Sequence, residues 1–165
     1  MSNGRKIRYA VVGLGSIAQG SVLPGFKNAD NCELAALISD DDVKLKELGK
    51  LYSVENTYTY AQYDECMKGG KVDAVYIALP NHLHRDYTER AARAGVHVLC
   101  EKPMAVTEAD CDSMIRTCHE NSVKLMIAYR LHFEAGNLEA SRIATSGEIG
   151  EARVFTSTFT QQVRP

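Results

Sequence analysis

The chain has 165 residues, 45% of them hydrophobic and 24% charged, with a formal net charge of −2 from 19 Lys+Arg against 21 Asp+Glu. These are values of a globular protein, and the missing basic excess excludes a general nucleic-acid footprint. No apolar run approaches the roughly 18 residues of a membrane span, and five cysteines without C-x-x-C spacing read as reduced thiols of a cytoplasmic protein, not as a disulfide framework or a zinc site.

In chain order, Met1 to Lys6 is short and polar, without the apolar core of a signal peptide. Ile7–Val12 is a compact apolar run ending in glycine. Further runs lie at Leu34–Ile38, Val72–Leu79, His97–Cys100 and Lys124–Tyr129, with a weaker one near Val54–Tyr58. Continuous apolar runs of this length suit strands covered on both faces. Between them, Asp41–Tyr52 carries Leu45, Leu48 and Leu51. His82–Ala94 places Leu83, Tyr87, Ala91 and Ala94 on one helical face, with Gly95 at the stop. Thr107–Glu120 opens with Thr107-x-x-Asp110 and sets Cys111, Met114, Ile115 and Cys118 at helical spacing.

Strand–helix alternation predicts an α/β fold, a Rossmann doubly wound parallel sheet over residues 1–128. Residues 129–165 read differently. Phe133–Ser146 predicts a helix, and Glu151–Thr160 alternates as an antiparallel-type strand. A lone strand without a partner is a poor end for a domain. The expectation is that residues 129–165 begin an incomplete second α/β domain and that the natural protein continues beyond Pro165.

The first run leads into Gly13-Leu14-Gly15-Ser16-Ile17-Ala18, the G-x-G-x-x-A form of the dinucleotide fingerprint. Gly13 allows a tight turn, Gly15 lets backbone approach a pyrophosphate, and Ala18 permits close helix–strand packing. Ser16 and Ile17 open a helix whose free N–H groups favour phosphate. A second strand ends about 20 residues later, the context that gives the motif its meaning. It ends at Ser39, followed by Asp40, Asp41 and Asp42. Ser39 leaves room for a 2′-phosphate that Lys44 could neutralise, while Asp40 would repel one. The balance favours NADP, with NAD as the alternative. Asp41 and Asp42 suit the N-terminus of the following helix.

Two more motifs stand at the carboxyl ends of expected parallel strands, where open α/β sheets bind ligands: Leu79-Pro80-Asn81-His82-Leu83-His84 and Cys100-Glu101-Lys102-Pro103. With Gly13–Ala18 and Tyr129-Arg130-x-His132-Phe133, this ordered set resembles the Gfo/Idh/MocA oxidoreductase family, above all its glucose–fructose oxidoreductase-like members.

The resemblance implies a nicotinamide-dependent enzyme that moves hydride to or from a sugar, polyol or similar small molecule, homo-oligomeric at full length. It implies that Lys102 is catalytic, bonding the nicotinamide ribose and a substrate hydroxyl, and that Glu101 anchors the ribose. Leu79, Pro80, Asn81 and His84 would line the cofactor channel, and Tyr129 and Arg130 would border the active site. His84 has a second reading, as a packing residue of its helix. No metal is expected. The competing function is a dinucleotide-binding module or redox sensor without catalysis, since a fold does not fix a function.

Overall fold

The computed structural model describes residues 5–158 and 160. The chain divides into two compact units, Met1–Ala128 and Tyr129–Pro165.

In the first unit six strands form one sheet: β1 (Ile7–Val12), β2 (Cys32–Ile38), β3 (Thr57–Tyr58), β4 (Ala74–Ile77), β5 (His97–Cys100) and β6 (Leu125–Ile127). Every neighbouring pair is parallel, in the order β3-β2-β1-β4-β5-β6. This is the doubly wound Rossmann order, in which the direction of winding reverses between β1 and β4. Successive side chains leave a strand on opposite faces. Val11 and Leu37 therefore pack on one face with Ala18 and Leu23 of the helical segment 16–28 (α1) and with Leu45 and Leu48 of α2 (Asp42–Tyr52). Ala10, Val12, Ala36, Ile38, Val75 and Ile77 pack on the other, against α3 (Tyr63–Lys68), α4 (His84–Arg93) and α5 (Glu108–Glu120). Both faces are covered, so the strands read as continuous apolar runs.

Local chemistry sets the helix ends. Asp41 caps α2 by accepting from the Lys44 N–H (3.0 Å), and Thr107 caps α5 by accepting from the Asp110 N–H (3.2 Å). Inside α1, residues Ala18–Val22 widen into a π-helical turn. Pro24 has no N–H to return to the Gly20 carbonyl and its ring crowds that carbonyl, which accounts for the widening.

Several expectations change. The Val54–Tyr58 strand shrinks to the two residues of β3. Leu51 and Ile115 face outward, 62% and 54% exposed. In α2 the inner position falls to Gly49, where a Cβ would lie 3.0 Å from the Val54 carbonyl oxygen. Helix α3 carries no sequence signal, because six residues hold too little periodicity. Its anchor is Tyr63, fully buried, whose hydroxyl donates to the Tyr87 carbonyl at 2.9 Å. The Arg90 guanidinium lies over both tyrosine rings, 4.8 Å and 4.9 Å from their centroids.

The amino-terminal end of the β1–β4 pair carries an ion cluster. Asp73 accepts from the Arg8 backbone N–H (2.9 Å), from Arg8 Nε and Nη2 (3.0 and 2.8 Å) and from Arg5 Nη2 (2.6 Å). Hydrogen bonds and charge from Arg8, then Arg5, hold this carboxyl far below the usual carboxylate range.

The second unit holds a short 3-10 turn at Arg130–Phe133 and helix α6 (Ala135–Ser146), capped by Glu134 accepting from the Asn137 N–H at 3.0 Å. The helix expected from Phe133 thus starts two residues later. The strand expected over Glu151–Thr160 does not form among the described residues: 152–158 are irregular, with Val154 and Phe155 88% and 90% exposed. With no neighbouring strand, the backbone of this segment has no ladder to join. Phe159 and residues 161–165 lie outside the described residues.

Candidate dinucleotide site at the carboxyl edge of the sheet

Gly13 leaves β1 with φ +88°, and its N–H donates to the Ile38 carbonyl at 3.0 Å. A Cβ there would stand 2.5 Å from the Ala78 carbonyl oxygen and 2.8 Å from its carbon. The turn is therefore pressed against the exit of β4, at the switch point. Gly15 is the opposite case: a Cβ would meet nothing within 4 Å. Its missing side chain leaves open ground beside the first turn of α1, where Ser16 and Ile17 are exposed. The leading N–H groups of a helix have no partner within it and attract anions. Ala18, fully buried, lets that helix lie close to the sheet.

At the end of β2, Ser39 is buried and its Oγ accepts from the Asp41 N–H at 3.1 Å. Asp40 is exposed, but its carboxylate accepts from the Tyr60 N–H at 2.8 Å, so its charge is drawn toward the segment after β3. Lys44 Nζ lies 2.8 Å from Asp41 Oδ2. The hydrogen bond and the charges raise the pKa of Lys44 and lower that of Asp41. The cation read as a phosphate partner thus already shares its charge with the helix cap.

The other two motifs emerge next along the same edge. Leu79 is buried, while Pro80 and Asn81 are exposed ahead of α4. His84, read either as a channel residue or as a packing residue of its helix, is fully buried. Its Nδ1 lies 2.9 Å from the Pro103 carbonyl and its Nε2 2.9 Å from the Leu79 carbonyl. Both ring nitrogens thus face backbone carbonyls. A neutral imidazole donates from one nitrogen only, so it satisfies one of these carbonyls at a time. His84 straps the loop after β5 to the loop after β4.

Glu101 follows β5, and its N–H donates to the Ile77 carbonyl at 2.9 Å. Its Oε1 accepts from the Tyr76 hydroxyl at 2.6 Å and its Oε2 from the Lys102 N–H at 3.1 Å. Burial, then the bond to Glu101, pushes the Tyr76 phenol well above its ordinary value. Lys102 is exposed, and the Lys102–Pro103 peptide bond is cis. Two strand spacings, roughly 10 Å, separate the ends of β1 and β5. Sequence reasoning passes over Tyr76. The available signal is a hydroxyl inside an otherwise apolar buried strand, which needs a polar partner.

Gly13, Gly15, Ser16, Ile17, Ser39, Asp40, Lys44, Leu79, Pro80, Asn81, Glu101 and Lys102 all stand at the carboxyl edge of one sheet, on both sides of the switch point. Tyr129 and Arg130 belong to the second unit. A separate open cavity of about 350 Å³ runs along α5 and β6, lined among others by Met104, Ile115, Cys118 and Val123. None of the expected site residues lines it. Among the described residues no group of His, Cys, Asp and Glu could hold a metal ion, and no helix is long and apolar enough to cross a membrane.

Residues 7–129 match the family model described as an oxidoreductase family with an NAD-binding Rossmann fold. The chain belongs to the Gfo/Idh/MocA oxidoreductase family. Among its members, D-xylose 1-dehydrogenase [NADP(+)] of Haloarcula marismortui is 34% identical over 158 residues, covering 95% of this chain and 44% of that protein. The 1,5-anhydro-D-fructose reductase of Ensifer adhaerens is 33% identical, covering 92% of this chain and 46% of the relative. Among solved structures, aldose-aldose oxidoreductase from Caulobacter crescentus, complexed with glycerol, is 46% identical with a TM-score of 0.82, covering 87% of this chain and 43% of the other. A variant of the 3-ketoreductase KijD10 from Actinomadura kijaniata, in complex with TDP-benzene and NADP, is 28% identical with a TM-score of 0.81, covering 89% and 44%. The chain spans less than half the length of these relatives.

Proposed function

We propose that this chain is the dinucleotide-binding part of a longer NADP-dependent oxidoreductase acting on a sugar, polyol or similar hydroxyl or carbonyl compound. In this reading residues 129–165 open its second domain. The observation that carries it is the convergence, on one sheet edge, of the open helix start at Gly15 with the Glu101–Lys102 corner. A pyrophosphate at Gly15 sends the adenosine half toward β2 and the nicotinamide half toward β4 and β5. Bound there, the nicotinamide supplies the carbon that accepts or donates hydride.

The residues of this chain hold and orient. The backbone around Gly15 to Ile17 takes the diphosphate, and Ser39 with Lys44 faces the adenosine ribose. Binding a 2′-phosphate would draw Lys44 away from Asp41, while the Tyr60 N–H keeps Asp40 turned aside. This arrangement, and the NADP named in several relatives, supports NADP over NAD. Pro80 and Asn81 border the nicotinamide, Glu101 accepts from its ribose, and Lys102 relays the proton of the substrate hydroxyl. Tyr129 and Arg130 serve the substrate side. The five free cysteines support a cytoplasmic setting.

Paired titrations of this chain with NADP and NAD test the reading: saturable binding with NADP the tighter is expected, and no binding of either refutes it. The complete protein is then expected to change absorbance at the reduced-nicotinamide band with aldoses or polyols. Binding without turnover on any of them would favour the sensor alternative.

A further inference from the structure

Tyr76 is the one side chain at this edge whose only polar contact among the described residues is a group assigned to the cofactor. It sits in mid-strand β4, paired in register with Leu99 of β5. Glu101 is two residues beyond Leu99, on the same face and diagonally opposite, within reach of an aromatic side chain. The Tyr76 hydroxyl donates to Glu101 Oε1 at 2.6 Å, while Oε2 takes the Lys102 N–H at 3.1 Å. Both carboxylate oxygens are thereby fixed, one by the sheet and one by the residue expected to carry the proton.

We infer that Tyr76 is a positioning residue for the nicotinamide half of the site, holding the Glu101 carboxylate, and through it the Lys102 backbone, in the orientation that receives the nicotinamide ribose. This rests on the dinucleotide reading above. Without the phenol, only the Lys102 N–H still holds the Glu101 carboxylate, which gains freedom that must be lost again whenever ligand binds. The ring packs against the face shared with Val11 and Leu37, so Tyr76→Phe keeps the packing and removes the donor alone.

The test separates the two halves of the ligand. NADP spans the switch point, whereas 2′,5′-ADP reaches only the β1–β2 side. By calorimetric titration of this chain, Tyr76→Phe is expected to weaken NADP about tenfold and to leave 2′,5′-ADP within about twofold. In a Glu101→Ala background the same substitution is expected to change NADP affinity by less than about twofold, because its partner is already gone. The Lys102 amide resonance is expected to shift in Tyr76→Phe while that of Gly15 stays. Equal weakening of both ligands, or no weakening of NADP, overturns the inference and leaves the dinucleotide reading standing. A wild-type chain that binds neither ligand overturns both.

Discussion

Two glycines of one motif make opposite predictions when each is replaced by alanine. At Gly13 the added methyl would lie 2.5 Å from the Ala78 carbonyl oxygen, and the backbone has φ +88°. The left-handed conformation costs an L-residue about 1–2 kcal/mol. The contact is with backbone, so β1 and β4 must part at their exits. The two effects together come to about 3 kcal/mol, a fall in Tm of about 6–12 °C for a chain of this size. At Gly15 the methyl meets nothing within 4 Å. Stability should hold within about 0.5 kcal/mol, while the methyl occupies the approach of the diphosphate. Losing one or two charge-assisted N–H contacts of about 1.5–3 kcal/mol weakens NADP roughly 10- to 100-fold or more. Thermal melts and titrations of the two variants read both quantities. A Gly13→Ala chain as stable as the parent, or a Gly15→Ala chain that binds NADP unimpaired, would refute this account of the turn.

Other perturbations separate scaffold from chemistry. Lys102→Ala, at an exposed position, should leave the melting curve of this chain unmoved, yet lower turnover of the complete oxidoreductase about 10²- to 10⁴-fold; unchanged turnover would remove Lys102 from the reaction. His84→Ala should lower Tm by about 6–12 °C, from a cavity and a lost ring-to-carbonyl hydrogen bond worth together about 3 kcal/mol; a Tm within error of the parent would refute the strap. Asp73 is held low in the folded state, so its contribution is fully present above the unfolded carboxyl pKa of about 3.9 and fades as pH falls below it. Melts of the parent and of Asp73→Asn should therefore be furthest apart at neutral pH and converge toward pH 2; a constant gap would contradict the assignment.

Much of this was legible in the sequence because the signals were local. Ile7–Val12 and His97–Cys100 are apolar runs bounded by glycine or charge, and the strands match them residue for residue. Thr107 and Asp41 cap where their side chains predict. What escaped was set by distant neighbours. Leu51 and Ile115 fit helical spacing but lie beyond the arc that the sheet covers. Tyr63 finds its hydrogen-bond acceptor in Tyr87, and His84 one of its two partners in Pro103, residues that only folding brings near. Tyr76 meets Glu101 across 25 residues. At the site, motif spacing located the edge and the loops, while the partners of Asp40 and Lys44 depended on the β3 segment and on helix-cap geometry.

The adjacency of β1 and β4 also bears on when the crevice can exist during synthesis. Arg8 and Asp73 are 65 residues apart, and β2, β3 and helices α1 to α3 lie between them in the chain. Contacts of such separation form slowly, after the loop between them has been closed by local structure. A nascent chain can therefore shape its glycine turn early but has no floor to set it against until β4 arrives. The dinucleotide, by binding across that seam, would favour the joined halves over the separated ones during biogenesis as well as afterwards.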